Sequence, residues 1–257
     1  MTAVTHSWFM MLRYLRALIR QPWYIAFTLL QPIIWLLLYG QLFQKVVELP
    51  GFHAVSYIDF LTPGVVIMTA LFSSGWTGMG LIREIDRGTL DRFLVSPLNR
   101  IALIAGRLCQ VAFITIVQSA ILLVLGLLLG ARYKGGWGGV TVLVVCAILV
   151  AVPIGALSSA LALAVRKEES VIGASNFILL PLTFLSPVFM ASALMPGWMR
   201  IVARFNPVNW SVEAAREALQ VQTNWSLVLS RCGFLIVLAI VSMWIAIRAF
   251  RNYQRSV

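Results

Sequence analysis

VTVLVVCAILVAVPIGALSSALALAV, residues 140–165, runs from end to end without a charged side chain. About 20 apolar residues are enough to cross the hydrocarbon core of a bilayer as one helix, so this stretch reads as a transmembrane span. The whole chain has the same character. Of its 257 residues, 60% are hydrophobic and only 11% charged, with a mean hydropathy of +0.90. A soluble domain carries roughly 45–50% apolar residues and about a quarter charged. This composition excludes a cytosolic globular enzyme, a disordered protein and a disulfide-knit secreted domain. The expected class is an all-α integral membrane protein, a single membrane domain over residues 1–257.

Working outward from residues 140–165 gives six spans: 23–43, 60–82, 108–130, 140–165, 171–194 and 232–247. Residues 1–22 precede them with Arg13, Arg16 and Arg20 at i, i+3 and i+7, one helical face. That pattern predicts an amphipathic helix lying in the membrane interface. It lacks the layout of a cleaved signal peptide, so the first span is expected to be retained. Span two is rich in small residues, among them Gly64, Gly75 and Gly78, which permit close helix approach in lipid. No direct or inverted repeat is visible.

The formal charge is +11. The basic residues are scattered singly over the connections, with no run that could track a nucleic-acid backbone, so nucleic acid is not an expected partner. Thirteen of the 20 basic residues fall on one side of the six spans and seven on the other. The positive-inside rule places the thirteen in the cytoplasm. Both termini are then cytoplasmic, and the chain is a multi-pass protein of the cell (inner or plasma) membrane.

Catalytic constellations are absent: the sequence holds no H-E-x-x-H, G-x-S-x-G or G-x-x-x-x-G-K-[ST]. The three cysteines, Cys109, Cys146 and Cys232, match no metal-binding spacing and read as small hydrophobes. No ionisable residue falls in the middle of a predicted span, which argues against an ion-coupled carrier. Metal, catalytic and cofactor sites are therefore not expected in this chain.

Two connections carry more pattern than a solvated loop needs. In residues 83–107, Arg83, Arg87 and Asp91 share one helical face while Leu90, Phe93 and Leu94 share another. A short amphipathic helix with an apolar ridge suits a protein partner. In residues 179–219, Pro181 and Pro187 kink or break span five, and the M-P-G-W and N-P-V-N-W turns bracket a piece too short to cross a bilayer. A re-entrant hairpin over 195–228 fits; an ordinary external loop with interfacial tryptophans is the plainer alternative.

These two blocks resemble the type-2 ABC transporter permeases, most closely the daunorubicin-resistance-like efflux branch. The first block stands here as Arg83-Glu84, Gly88-Thr89-Leu90 and Ser96-Pro97. The second is Ser186-Pro187, Met195-Pro196-Gly197-Trp198, Asn206-Pro207 and Glu213 to Glu217. The resemblance implies that Arg83, Glu84, Arg87, Gly88, Thr89, Leu90, Arg92 and Phe93 form a coupling helix docked on a separate nucleotide-binding subunit. That subunit would hold ATP and Mg. It also implies a second permease copy, identical or a close paralogue, around a central path. Pro187, Pro196, Trp198, Asn206, Pro207 and Glu213 would belong to the external re-entrant gate. Family members mostly export lipids, lipid-linked glycans or amphiphilic drugs.

The function expected is therefore the permease subunit of an ATP-driven exporter of a lipophilic or amphiphilic substrate. A glycan-exporting variant would line its path with aromatics, for which Trp35, Tyr39, Phe72 and Trp76 are candidates. An alternative from another class is a membrane enzyme acting on lipid, with Glu213, Arg216 and Glu217 as its nearest approach to a catalytic set. Their i, i+3 and i, i+4 spacing equally describes a helix-surface ion pair.

Overall fold

The structure, a computed structural model, describes residues 22–48, 56–88 and 100–254. The predicted N-terminal helix with Arg13, Arg16 and Arg20 lies outside the described residues. So do Thr89, Leu90, Arg92 and Phe93 of the coupling segment. The described residues are helical, with no strand among them. In chain order the helices are α1 (Pro22–Leu42), α2 (Tyr57–Gly75), α3 (Thr77–Asp86), α4 (Arg100–Leu128) and α5 (Gly136–Val165), then α6 (Glu168–Phe184), α7 (Gly197–Ala203), α8 (Pro207–Ala218) and α9 (Trp225–Gln254). Short 3-10 turns occupy Gln44–Glu48 and Ser192–Leu194.

The charge-free stretch read first, now α5, is the centre of the bundle: α2, α3, α4, α6, α8 and α9 all pack on it. Its small residues make this possible. Ala147, Ala151, Ala156 and Ala162 are fully buried, so neighbouring backbones come close without large side chains between them. The last helix, α9, turns the opposite character outward, with Val237, Ile240 and Trp244 exposed. An apolar surface of this kind is stable in lipid and not in water.

Among the described residues, four helical segments are long and apolar enough to cross a membrane: Tyr57–Asp86, Ile104–Leu128, Gly136–Val165 and Trp225–Gln254. Ala26–Leu42 is a shorter apolar helix. Several predicted boundaries need correction. Span five was expected over 171–194, but α6 ends at Phe184, because Pro187 has no N–H to donate and disfavours helical geometry at Ser186. Span six was expected over 232–247 and instead runs from Trp225 to Gln254, so residues 225–228 belong to this helix and not to the preceding connection. Its C-terminal end is held by packing, with Phe250 and Tyr253 buried, which hydropathy does not register.

Span two is broken at Trp76, where α2 gives way to α3. The break frees backbone groups that lipid could not satisfy. The Ser158 hydroxyl from α5 donates to the Gly75 carbonyl at 2.6 Å and accepts from the Gly78 N–H at 3.0 Å. Ser175 from α6 donates to the same carbonyl at 3.1 Å. The clamp needs glycine, since a Cβ on Gly78 would overlap the Ser158 carbonyl. Gly78→Val is expected to destabilise the protein by about 1–3 kcal/mol through overpacking. Thermal unfolding in detergent checks this, and an unchanged midpoint would show that the contact is looser than it is drawn.

Candidate functional site

The residues of interest gather at the two ends of the bundle. One end carries the start of α2, the α4–α5 turn, the α6–α8 region and the start of α9. Its organiser is the turn after α6. By ending the helix, Pro187 leaves carbonyls without intrahelical donors, and side chains from elsewhere take them up. Asn206 Nδ2 donates to the Leu182 carbonyl at 2.7 Å and to the Leu185 carbonyl at 3.0 Å. Its Oδ1 meanwhile accepts from the Val208 N–H at 2.9 Å and so caps the start of α8, with Pro207 at the first helical position. One buried amide thus closes α6 and opens α8. Tyr57 donates its hydroxyl to the Phe189 carbonyl at 2.9 Å.

Arg216 completes this arrangement. Its guanidinium donates to the Phe60 carbonyl through Nε at 3.2 Å and Nη2 at 3.0 Å, and to the Val188 carbonyl through Nη2 at 3.0 Å. It also lies 3.5 Å from the centroid of the Phe60 ring, within cation–π range. Burial pushes its pKa down from the ordinary arginine value, while Tyr57 and Glu213 act the other way. The helix-surface ion pair suggested by the spacing of Glu213, Arg216 and Glu217 is not what forms. Glu213 pairs with Arg231 at 2.9 Å, and Glu217 accepts from the Asn224 N–H at 3.1 Å and from Gln220.

Beside this hub lies a cavity of about 760 Å3, lined by Pro187, Glu213, Arg216 and Glu217 together with Asp59 and Arg132. Of the six predicted gate residues, Pro187 and Glu213 line it, while Asn206 and Pro207 hold the end of α6 and the start of α8. Pro196 and Trp198 stand apart and are exposed. The path candidates divide in the same way. Trp35 stacks on Tyr39 at 4.7 Å, and both rings contact Phe189 at 5.1 and 5.3 Å, so they join the turn next to the cavity. No ring contact joins Phe72 or Trp76 to this cluster among the described residues.

The opposite end carries the start of the predicted coupling segment. Arg83 is exposed and pairs with Glu168 at the start of α6, at 3.0 Å. Glu84 turns inward and pairs with Arg107 at 2.7 Å, and Arg107 also donates to the Thr77 carbonyl at 3.0 Å. The sequence placed Arg107 at the edge of a solvated connection; it lies about two turns inside α4 and is 5% exposed. Arg87 caps α3, and Gly88 follows with φ +61, a left-handed turn that favours glycine.

Sequence reasoning missed Arg216, Tyr57 and Arg107 as organisers, because each acts on a backbone or side chain far away in sequence. No local spacing announces such partners. A polar residue inside an apolar run is the signal that Arg107 leaves; Arg216, flanked by Glu213 and Glu217, leaves none.

Charge-free helices around a small-residue centre, with their polar groups gathered at the two ends, define a multi-pass, all-helical membrane protein. Comparison with known sequences narrows the class. The profile of the ABC-2 type transporter family matches residues 5–220. The daunorubicin resistance ABC transporter permease protein DrrB1 of Streptomyces coeruleorubidus is 31% identical over 97% of this chain and 86% of its own. The inner membrane transport permease YadH of Escherichia coli K12 is 25% identical over 74% of each chain. The chain belongs to the ABC-2 type transporter family.

Proposed function

We propose that this chain is the membrane-spanning permease subunit of an ATP-driven exporter for a lipophilic or amphiphilic substrate, a drug or a lipid. The observation that carries this reading is the family match over residues 5–220, together with 31% identity to a drug-resistance permease along nearly the whole chain. ATP and Mg are held by a separate nucleotide-binding subunit, and a second permease copy completes the path. Six crossings are made by α1, the α2–α3 pair, α4, α5, α6 and α9, with both termini in the cytoplasm. The α7–α8 segment is the external re-entrant hairpin. It leaves from and returns to the same end of the bundle, which is the end that holds the cavity.

The geometry supports a mechanical role for the coupling segment, residues 83–107. Its first residues are the last turn of α3, and its last are the first turns of α4. The Glu84–Arg107 pair joins the two limbs, so a push from an ATPase on the segment moves α3 and α4 together. Through the clamped break at Trp76 the displacement passes into α2, whose far end meets Arg216 and the cavity. The aromatic group of Trp35, Tyr39 and Phe189 offers a flat apolar surface suited to a lipophilic ring or chain. A sugar face could stack there too, which makes the glycan variant an outcome of the test.

The test begins with a pull-down of the tagged chain from its native membrane, with co-purifying proteins identified. A stoichiometric companion carrying a P-loop is expected. The complex in vesicles is then offered a fluorescent lipophilic drug, a labelled phospholipid and a lipid-linked glycan. ATP-dependent movement of either of the first two supports the reading. Arg87→Glu or Gly88→Leu should reduce that movement by an order of magnitude and leave membrane insertion intact. A chain that emerges alone under conditions that preserve other complexes, or that moves substrate without ATP, would sink the proposal.

A further inference from the structure

Two of the three cysteines, 86 residues apart in sequence, meet in the structure. Cys146 Sγ on α5 lies 3.8 Å from Cys232 Sγ on α9. Both are free thiols. Cys146 is fully buried and Cys232 half-buried. A disulfide needs its sulfurs about 2.05 Å apart, so rotation of the side chains on two already packed helices must close less than 2 Å.

The partial exposure of Cys232 gives a small oxidant a way in. Cys232 follows Arg231, which pairs with Glu213 at 2.9 Å. Cys146 has a different role in the packing, since its carbonyl accepts the Ser211 hydroxyl from α8 at 3.0 Å. The dithiol therefore sits where the central helix, the last helix and the helix that carries Arg216 come together. Nothing in the proposed transport mechanism uses it.

We propose that Cys146 and Cys232 are a modification site, an intrachain dithiol that a peroxide converts to a disulfide fastening α9 to α5. The half-buried Cys232 thiol reacts first. Its sulfur attacks one peroxide oxygen, the O–O bond breaks, water leaves, and a sulfenic acid remains. The Cys146 sulfur then displaces the sulfenic oxygen as a second water and forms the S–S bond. The two thiols together lose two electrons and two protons, and hydrogen peroxide is reduced to two waters. The cross-link holds α8 indirectly, through Ser211, and stops α5 and α9 from sliding past each other.

The site itself is tested on the full-length purified chain with the exposed Cys109 replaced by serine, which leaves one dithiol. After hydrogen peroxide, alkylation under denaturing conditions and peptide mass spectrometry should show a Cys146–Cys232 linked peptide lighter by two hydrogens. Dithiothreitol should restore both thiols. In Cys232→Ala, Cys146 should remain alkylatable after the same treatment. Two thiols still free, or Cys232 oxidised to the sulfinic acid beside an unreacted Cys146, would overturn the proposal.

The consequence for motion rests on the transport reading and is measured in the reconstituted complex. Peroxide should lower transport to background, dithiothreitol should restore it, and Cys146→Ala and Cys232→Ala should both be indifferent. A complete cross-link with undiminished transport would overturn the claim that α5 and α9 move against each other. If the reduced chain moves nothing in these vesicles, the transport reading has failed, and the peptide result still decides whether the site exists.

Discussion

Asn206→Ala is expected to lower stability by about 3 kcal/mol, because each of three lost hydrogen bonds is worth about 1 kcal/mol and leaves a buried partner unsatisfied. The side chain is 4% exposed and is the donor for the Leu182 and Leu185 carbonyls that Pro187 stranded. A shift of about 6–12 °C in thermal unfolding corresponds to that loss in a chain of this size, and unfolding of the purified protein in detergent reads it. Asn206→Asp separates the two roles of the amide. If the residue served only as a helix cap, aspartate would be neutral, since it caps as well as asparagine. If it closes α6, aspartate turns an oxygen towards two carbonyl oxygens and should be at least as damaging as alanine. An aspartate variant with wild-type stability would show that the bonds to α6 contribute little.

The same residue shows how far the sequence could be read. Asn-Pro and Ser-Pro announced two chain breaks, although span five was expected to run past the second, to residue 194. That one break is sealed by the other, across more than 20 residues, was not legible. The pairing depends on which carbonyls are stranded and on what packing brings within reach. Arg216 gives the same lesson. Local spacing offered it Glu213 and Glu217, yet its guanidinium goes to carbonyls of residues 60 and 188, where two acceptors and an aromatic face converge. Charge-free runs located apolar helices, four of them among the described residues long enough to cross a membrane, because hydropathy measures transfer from water to lipid. Their ends went astray wherever something else decided them: Pro187 and its caps at Phe184, the Glu213–Arg231 pair at the start of α9, and the packing of Phe250 and Tyr253 at its end. For the coupling segment, the pattern of charges did not announce the positive φ of Gly88. It gave no hint that Glu84 turns inward.

Arg107→Met is expected to destabilise the protein by about 3 kcal/mol, because it removes the cation that lies 2.7 Å from the largely buried Glu84 carboxylate. Glu84→Gln should be milder. The neutral amide is less costly to bury, and Arg107 retains the Thr77 carbonyl as an acceptor. The double variant Glu84→Gln/Arg107→Met should then lie well short of the sum, with a coupling of about 1–3 kcal/mol in a double-mutant cycle. Simple additivity would mean that the 2.7 Å contact carries no energy. The reversed pair, Glu84→Arg/Arg107→Glu, adds a further distinction. It restores opposite charges, yet a glutamate at 107 has no donor for the Thr77 carbonyl next to the helix break. If the pair matters only as an ion pair, the reversal should recover both stability and the ATP-driven transport proposed above. If Arg107 also holds the break at Trp76, stability should return in part and transport should not, because the two limbs of the coupling segment would be tied together but no longer tied to the hinge.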